Sequence, residues 1–89
     1  MSTEDKAFIE LARIARTTIF ETSATEVVIN YKHWKIKAIR LYNAHASFLA
    51  WVPLYYLIDV YTDEQYGGYS KFTSFIRWAS KFMQRRSSE

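Results

Sequence analysis

Apolar residues recur along this chain with a helical period at both ends and with a period of two in between. Spacings of three and four residues mark one apolar stripe on each terminal segment, and they predict helices over residues 3–20 and 70–85. The first stripe comprises Phe8, Leu11, Ala12, Ala15 and Ile19. The second stripe comprises Phe72, Phe75, Ile76, Ala79, Phe82 and Met83.

Three segments between the helices are rich in β-branched and aromatic residues, which predicts strands over residues 26–31, 34–41 and 52–61. The second of them alternates between an apolar face and a face that carries Lys35 and Lys37. No glycine marks a turn between the first two strands, so one long bent strand is the alternative to a hairpin. The Gly67-Gly68 pair predicts the end of the third strand. The pattern therefore predicts an α+β fold, a single small two-layer domain in the order helix, three-stranded antiparallel sheet, helix.

Residues 45–61 form the longest apolar run of the chain and allow three interpretations. A strand over 52–61 is favoured by its composition, and Pro53 then lies near the strand start or on an edge. A membrane segment over residues 46–60 is the main alternative, although a span needs about 20 apolar residues and Asp59 interrupts the run. A helix kinked at the proline is the third interpretation.

The two faces of this third strand differ in composition. The uniformly apolar face is predicted to pack against the helices, and it comprises Leu54, Tyr56, Ile58 and Val60. The mixed face is predicted to contact a protein partner or a second copy of the chain, and it comprises Tyr55, Leu57, Asp59 and Tyr61. Two helices cover only one face of a sheet, so an apolar second face is expected to need another subunit. Asp59 would then require a cationic partner such as Arg40 or a lysine of the neighbouring strand.

The charges are distributed in blocks, although the net charge is only +3. Residues 32–44 carry four bases and no acid, and residues 69–89 carry five bases and one acid. Such blocks are usually solvated faces, and the alternative is contact with nucleic acid or an acidic partner. The residues predicted for that contact are Lys35, Lys37, Arg77, Trp78, Lys81 and Arg85.

Catalytic and metal-binding patterns are scarce in this sequence. The chain has no cysteine, and its two histidines, His33 and His45, lack the spacing of a zinc site. A pair between His45 and Asp59 or Asp63 is the only acid–base arrangement that suggests itself. No serine lies in a nucleophile motif. The sequence therefore predicts a non-enzymatic protein without a metal or a cofactor.

These features predict a small binding or adaptor protein that acts through contacts with another protein or with itself as a homodimer, with nucleic acid as a further partner. The alternative function is a small membrane-associated subunit that inserts residues 46–60 and lays a basic amphipathic C-terminal helix on the bilayer. The absence of cysteine and of an apolar leader segment favours a cytoplasmic location, with membrane association as the alternative.

Overall fold

Two helices and four strands make up the computed structural model, which describes residues 5–22, 24–42 and 51–87. In chain order the elements are α1 (Lys6–Glu21), β1 (Glu26–Tyr31), β2 (Trp34–Tyr42), β3 (Trp51–Asp59), β4 (Gln65–Tyr69) and α2 (Phe72–Ser87). The strands form one antiparallel sheet in the order β1-β2-β3-β4. Helix α1 lies over β1 and β2, and α2 lies over β3 and β4, on the same face of the sheet. The predicted α+β class is confirmed.

The prediction of three strands is wrong, because residues 65–69 form a fourth strand where the glycine pair was expected to end the sheet. Gly67 and Gly68 have φ angles of 109° and 97°, values that residues with a Cβ rarely adopt. The two glycines lie beside a bulge in the pairing of β3 with β4. A Cβ on Gly67 would lie 3.3 Å from the ring of Trp78, and one on Gly68 would lie 3.3 Å from the ring of Tyr56. The glycines therefore let β4 pass between two aromatic side chains.

Both ends of α1 are fastened to the sheet by polar side chains. At the start, the Asp5 carboxylate accepts hydrogen bonds from the backbone N–H groups of Ala7 and Phe8 and from the hydroxyl of Tyr31 in β1. At the end, the guanidinium of Arg40 in β2 donates to the carbonyl oxygens of Ile19 and Thr22. These contacts fix the helix lengthwise over the first two strands.

The face of β3 that packs against the helices is the opposite of the one predicted. Tyr55 and Leu57 are 1% and 0% exposed, and the Tyr55 ring stacks on Phe75 of α2 with 5.6 Å between ring centroids. The reason is the register, which pairs Ala38 with Tyr55, Ile36 with Leu57 and Trp34 with Asp59. Cross-strand partners share a face, so the buried residues of β2 carry their partners in β3 into the core. The predicted core residues Leu54, Tyr56 and Ile58 lie on the face away from the helices, and Val60 is 45% exposed in the turn after β3.

Asp59 lies at the buried end of β3. Contrary to the prediction, its carboxylate does not form an ion pair with Arg40. Its carboxylate accepts hydrogen bonds from the backbone N–H groups of Tyr61 at 2.8 Å and Thr62 at 3.4 Å. Arg40 lies near the other end of the strand pair, opposite Pro53. A buried carboxylate is tolerated where N–H donors satisfy it, so Asp59 stabilises the turn between β3 and β4.

A helix over the central apolar run, whether kinked or membrane-inserted, is wrong for residues 51–59, which form β3. Residues 46–50 of the proposed insertion lie outside the described part of the chain. Pro53 pairs only with β2, because β4 begins to pair with β3 at Tyr55, and this confirms the predicted edge position. Neither of the two described helices combines the length and the apolar composition needed to cross a membrane.

Candidate protein-binding face

The sheet face opposite the helices, called the open face below, carries a contiguous set of apolar side chains. Among the described residues no helix or loop covers this face, since both helices pack on the other one. Val28, Leu41 and Val52 are 45%, 48% and 40% exposed. Four further apolar side chains of the face are half-buried by their neighbours, and they are Ile39, Leu54, Tyr56 and Ile58. An apolar surface of this extent is typical of a contact site for another molecule.

The strand register arranges the open face in rows that run across the strands. One row joins Glu26, Ile39 and Leu54. The next joins Val28, Lys37, Tyr56 and Gly67, and the third joins Asn30, Lys35, Ile58 and Gln65. A fourth, shorter row pairs Leu41 with Val52. The apolar residues are therefore continuous along β3, and the charged residues lie mainly on β1 and β2.

The charges of the open face are partly neutralised within the chain. The Lys37 ammonium lies 3.7 Å from a Glu26 carboxylate oxygen and 3.2 Å from the side-chain oxygen of Gln65. Its side chain is 24% exposed, because it lies along the sheet rather than pointing into solvent. Lys35 forms no ion pair with any residue in the described ranges. The face therefore combines an apolar centre with one paired and one unpaired cation.

Three of the four residues predicted to contact a protein partner lie in the interior of this chain. Tyr55, Leu57 and Asp59 face the helices, so the surface predicted from them does not exist. Tyr61 is 83% exposed in the turn after β3, where its ring stacks on His33 at 5.8 Å. Within the described residues, the apolar sheet face that the helices leave uncovered lies on the other side of β3, with Leu54, Tyr56 and Ile58.

The residues predicted to contact nucleic acid are not brought together. Lys35 and Lys37 lie on the open face, whereas the exposed side chains of α2 lie beyond the opposite face of the sheet, and they are Arg77, Lys81 and Arg85. Trp78 was expected to stack on bases, but its ring packs between Tyr69 and Phe82 at 5.1 and 5.2 Å. One nucleic-acid strand therefore has no continuous basic path over all six residues.

Two tyrosines have perturbed ionisation, and both lie away from the open face. Burial raises the pKa of Tyr55 above its usual value, and the neighbouring Arg16 offsets part of this effect. The pKa of Tyr66 is raised chiefly because its hydroxyl donates a hydrogen bond to Glu64. Both arrangements are structural, since these rings pack against Phe75 and Phe82 of α2.

The described ranges contain no group of three or more His, Cys, Asp or Glu side chains placed to hold a metal ion. Of the two histidines, His33 packs against Trp34 at 4.8 Å, while His45 and its predicted pairing lie outside the described residues.

Sequence reasoning did not place apolar residues on the open face of β3, since it assigned Leu54, Tyr56 and Ile58 to the core. The signal that points to it is the alternation of β2, because Ile39 lies on the same side as the two lysines. An apolar residue on a basic, solvent-directed face marks the start of an apolar surface there. Comparison of the chain with protein-family models, with curated proteins and with solved structures finds no match.

Proposed function

We propose that this chain is a non-enzymatic protein-binding module that docks a protein partner on its open face. The observation that carries the proposal is the set of apolar side chains on the face opposite both helices. Monomeric proteins rarely leave so contiguous an apolar surface in water. The aromatic ring of Tyr56 near its centre supplies the type of residue that contributes most to binding at protein interfaces.

A sheet face suits this role because its backbone is held by neighbouring strands on both sides. β2 and β3 pair over nine residues each, so the side chains of the centre are presented by a rigid surface. Little conformational entropy is then lost when a partner binds, which favours affinity. Lys35, which forms no ion pair within the described ranges, favours a partner that contributes an acidic group at this position.

Site-specific photo-crosslinking in the native cell tests the proposal. Val28, exposed on the edge strand of the open face, is replaced by p-benzoylphenylalanine, and irradiation is followed by mass analysis of covalent adducts. Ile14, 46% exposed on α1, carries the same probe as the matched control. The proposal predicts discrete protein adducts from position 28 and none of the same mass from position 14. Identical adduct patterns from both positions, or no adduct from position 28, would contradict it.

A further inference from the structure

We infer that the partner of the open face is a second copy of this chain, bound face to face about a twofold axis that runs across the strands. This inference rests on the proposed function, because it names the occupant of the same surface. Three features of the face support it: its size, the positions of its charges and the contacts that hold Lys37.

The size of the face fits a weak dimer. The four strands hold 6, 9, 9 and 5 residues, and at about 4.8 by 3.3 Å for each residue they give a face of roughly 460 Å². Two such faces together bury a projected area of about 900 Å², which is the size of a weak or transient interface. A dimer of this size is expected to dissociate in the micromolar range or above.

The charges of the face are complementary to themselves under one particular twofold operation. An axis along the middle row, which contains Lys37, places each strand over its own copy in the opposite direction. The row of Glu26 and Leu54 in one copy then lies over the row of Lys35 and Ile58 in the other. Each Glu26 carboxylate thereby comes within about one strand spacing, roughly 4.8 Å laterally, of Lys35 in the second copy. The operation produces this pairing twice.

An axis parallel to the strands lacks this complementarity. It would place β2 of one copy over β3 of the other, row upon equal row, so that Lys35 would lie about one strand spacing from Lys35 of the second copy and far from either Glu26. Like charges at that distance repel, whereas the axis across the strands places Lys35 over Ile39 with Glu26 of the second copy beside it. The axis across the strands is therefore the one that the charge pattern favours.

Lys37 lies on the proposed axis, where it meets Lys37 of the second copy. Its conformation keeps the two ammonium groups from repelling each other. Its ammonium is directed along the sheet to Glu26 and Gln65 of its own chain. Two copies would consequently meet through the methylene groups of this side chain rather than through their charges. The helices would lie on the outside of the resulting four-layer assembly, with the two sheets about 10 Å apart.

Sedimentation equilibrium of the purified full chain, from micromolar to near-millimolar concentration, tests the inference. Wild type is expected to show a reversible monomer–dimer equilibrium. Leu54→Glu places a carboxylate from each copy in the apolar centre and is expected to raise the dissociation constant at least about 100-fold. Ile14→Glu makes the same change on α1 and is expected to leave it unchanged. Circular dichroism verifies that both variants keep the fold.

A charge swap tests the axis itself. Within one chain Glu26 and Lys35 are about 13 Å apart along the strands, too far for direct contact, but Glu26 also contacts Lys37 of its own chain, so the swap is made in a chain that carries Lys37→Met. In that background Glu26→Lys and Lys35→Glu are each expected to weaken the dimer roughly 5-fold, the combined effect of two exposed ion pairs, and the double variant is expected to regain most of that loss.

The outcomes separate this inference from the proposed function. A wild-type chain that stays monomeric at near-millimolar concentration, or a dimer that is indifferent to Leu54→Glu, overturns the inference. Crosslinks from position 28 to other proteins would in that case still support a protein-binding face. A dimer that is sensitive to Leu54→Glu but shows no recovery in the charge swap overturns the proposed axis and the pairing of Glu26 with Lys35.

Discussion

Leu57 and Leu54 offer a matched test of the two faces of β3, because they are the same residue type on one strand and point to opposite sides. Leu57 is fully buried beneath the helices, whereas Leu54 is half-buried on the open face. Replacing each by Ala removes the same three carbon atoms from two different environments. The structure therefore predicts a large difference in the free energy of unfolding between the two variants.

The magnitude follows from burial. Loss of three buried carbons at Leu57 costs about 2.4 kcal/mol of transfer free energy, and the cavity left behind brings the total to about 3–5 kcal/mol. Leu54 loses about half of that transfer term, roughly 1 kcal/mol, and leaves no closed cavity because solvent reaches the site. A domain of this length has a stability of about 4–13 kcal/mol, so Leu57→Ala removes a large part of it.

Urea unfolding followed by tryptophan fluorescence and circular dichroism measures both values. The chain concentration is kept low, so that association through the open face does not stabilise the folded state of either protein. We expect Leu57→Ala to unfold at a much lower urea concentration than Leu54→Ala, or to be unfolded without urea. Equal losses of stability, or a larger loss for Leu54→Ala, would refute the assignment of the buried face.

Two further predictions concern buried polar groups. Asp59→Ala should reduce the free energy of unfolding by about 1–3 kcal/mol, since two turn N–H groups lose their acceptor, and Asp59→Asn should lose less in the same urea assay, because an acceptor oxygen remains. Because burial raises the pKa of Tyr55, the folded state binds the proton of the Tyr55 hydroxyl more tightly than the unfolded state does. This difference leaves the free energy of unfolding unchanged below about pH 10 and reduces it as the pH rises through the pKa of the folded state. Tyr55→Phe should therefore flatten the fall in urea midpoint between about pH 9 and about pH 11. An equal slope in the wild type and in Tyr55→Phe would contradict the role of Tyr55.

The helices and the first two strands follow from local patterns in the sequence. The α1 stripe is confirmed, with Phe8, Ala12, Ala15 and Ile19 buried, and the α2 stripe likewise, with Phe75, Ile76, Ala79 and Met83 buried. The alternation of β2 places Trp34, Ile36 and Ala38 inside as expected. Such periodic patterns are predictive because a helix or strand exposes one face at a fixed spacing. The hairpin between β1 and β2 forms without glycine, because Lys32 itself adopts a positive φ of 53°.

The features that were predicted wrongly depend on register and on single polar contacts, which periodicity does not contain. β3 is apolar on both faces, so composition alone favours the face without Asp59 as core. The aspartate is accommodated at the strand end by N–H donors of the following turn, a contact that only the three-dimensional arrangement reveals. The same limit applies to β4. The glycine pair was expected to end the strand region, but Gly67 and Gly68 adopt positive φ angles within a strand that pairs with β3.

The two faces of β3 lie in different surroundings. The apolar stripes of α1 and α2 are both used on the covered face, where Phe8 and Phe75 pack against each other and against the sheet. Nothing in the described part of the chain is left to cover Leu54 and Tyr56 on the open face. If these residues served folding alone, their replacement by charged groups would change stability and leave association untouched. If the open face serves binding, Leu54→Glu weakens association at least about 100-fold while the fold persists. Leu57→Ala instead destabilises the monomer, and it weakens association only by reducing the amount of folded chain.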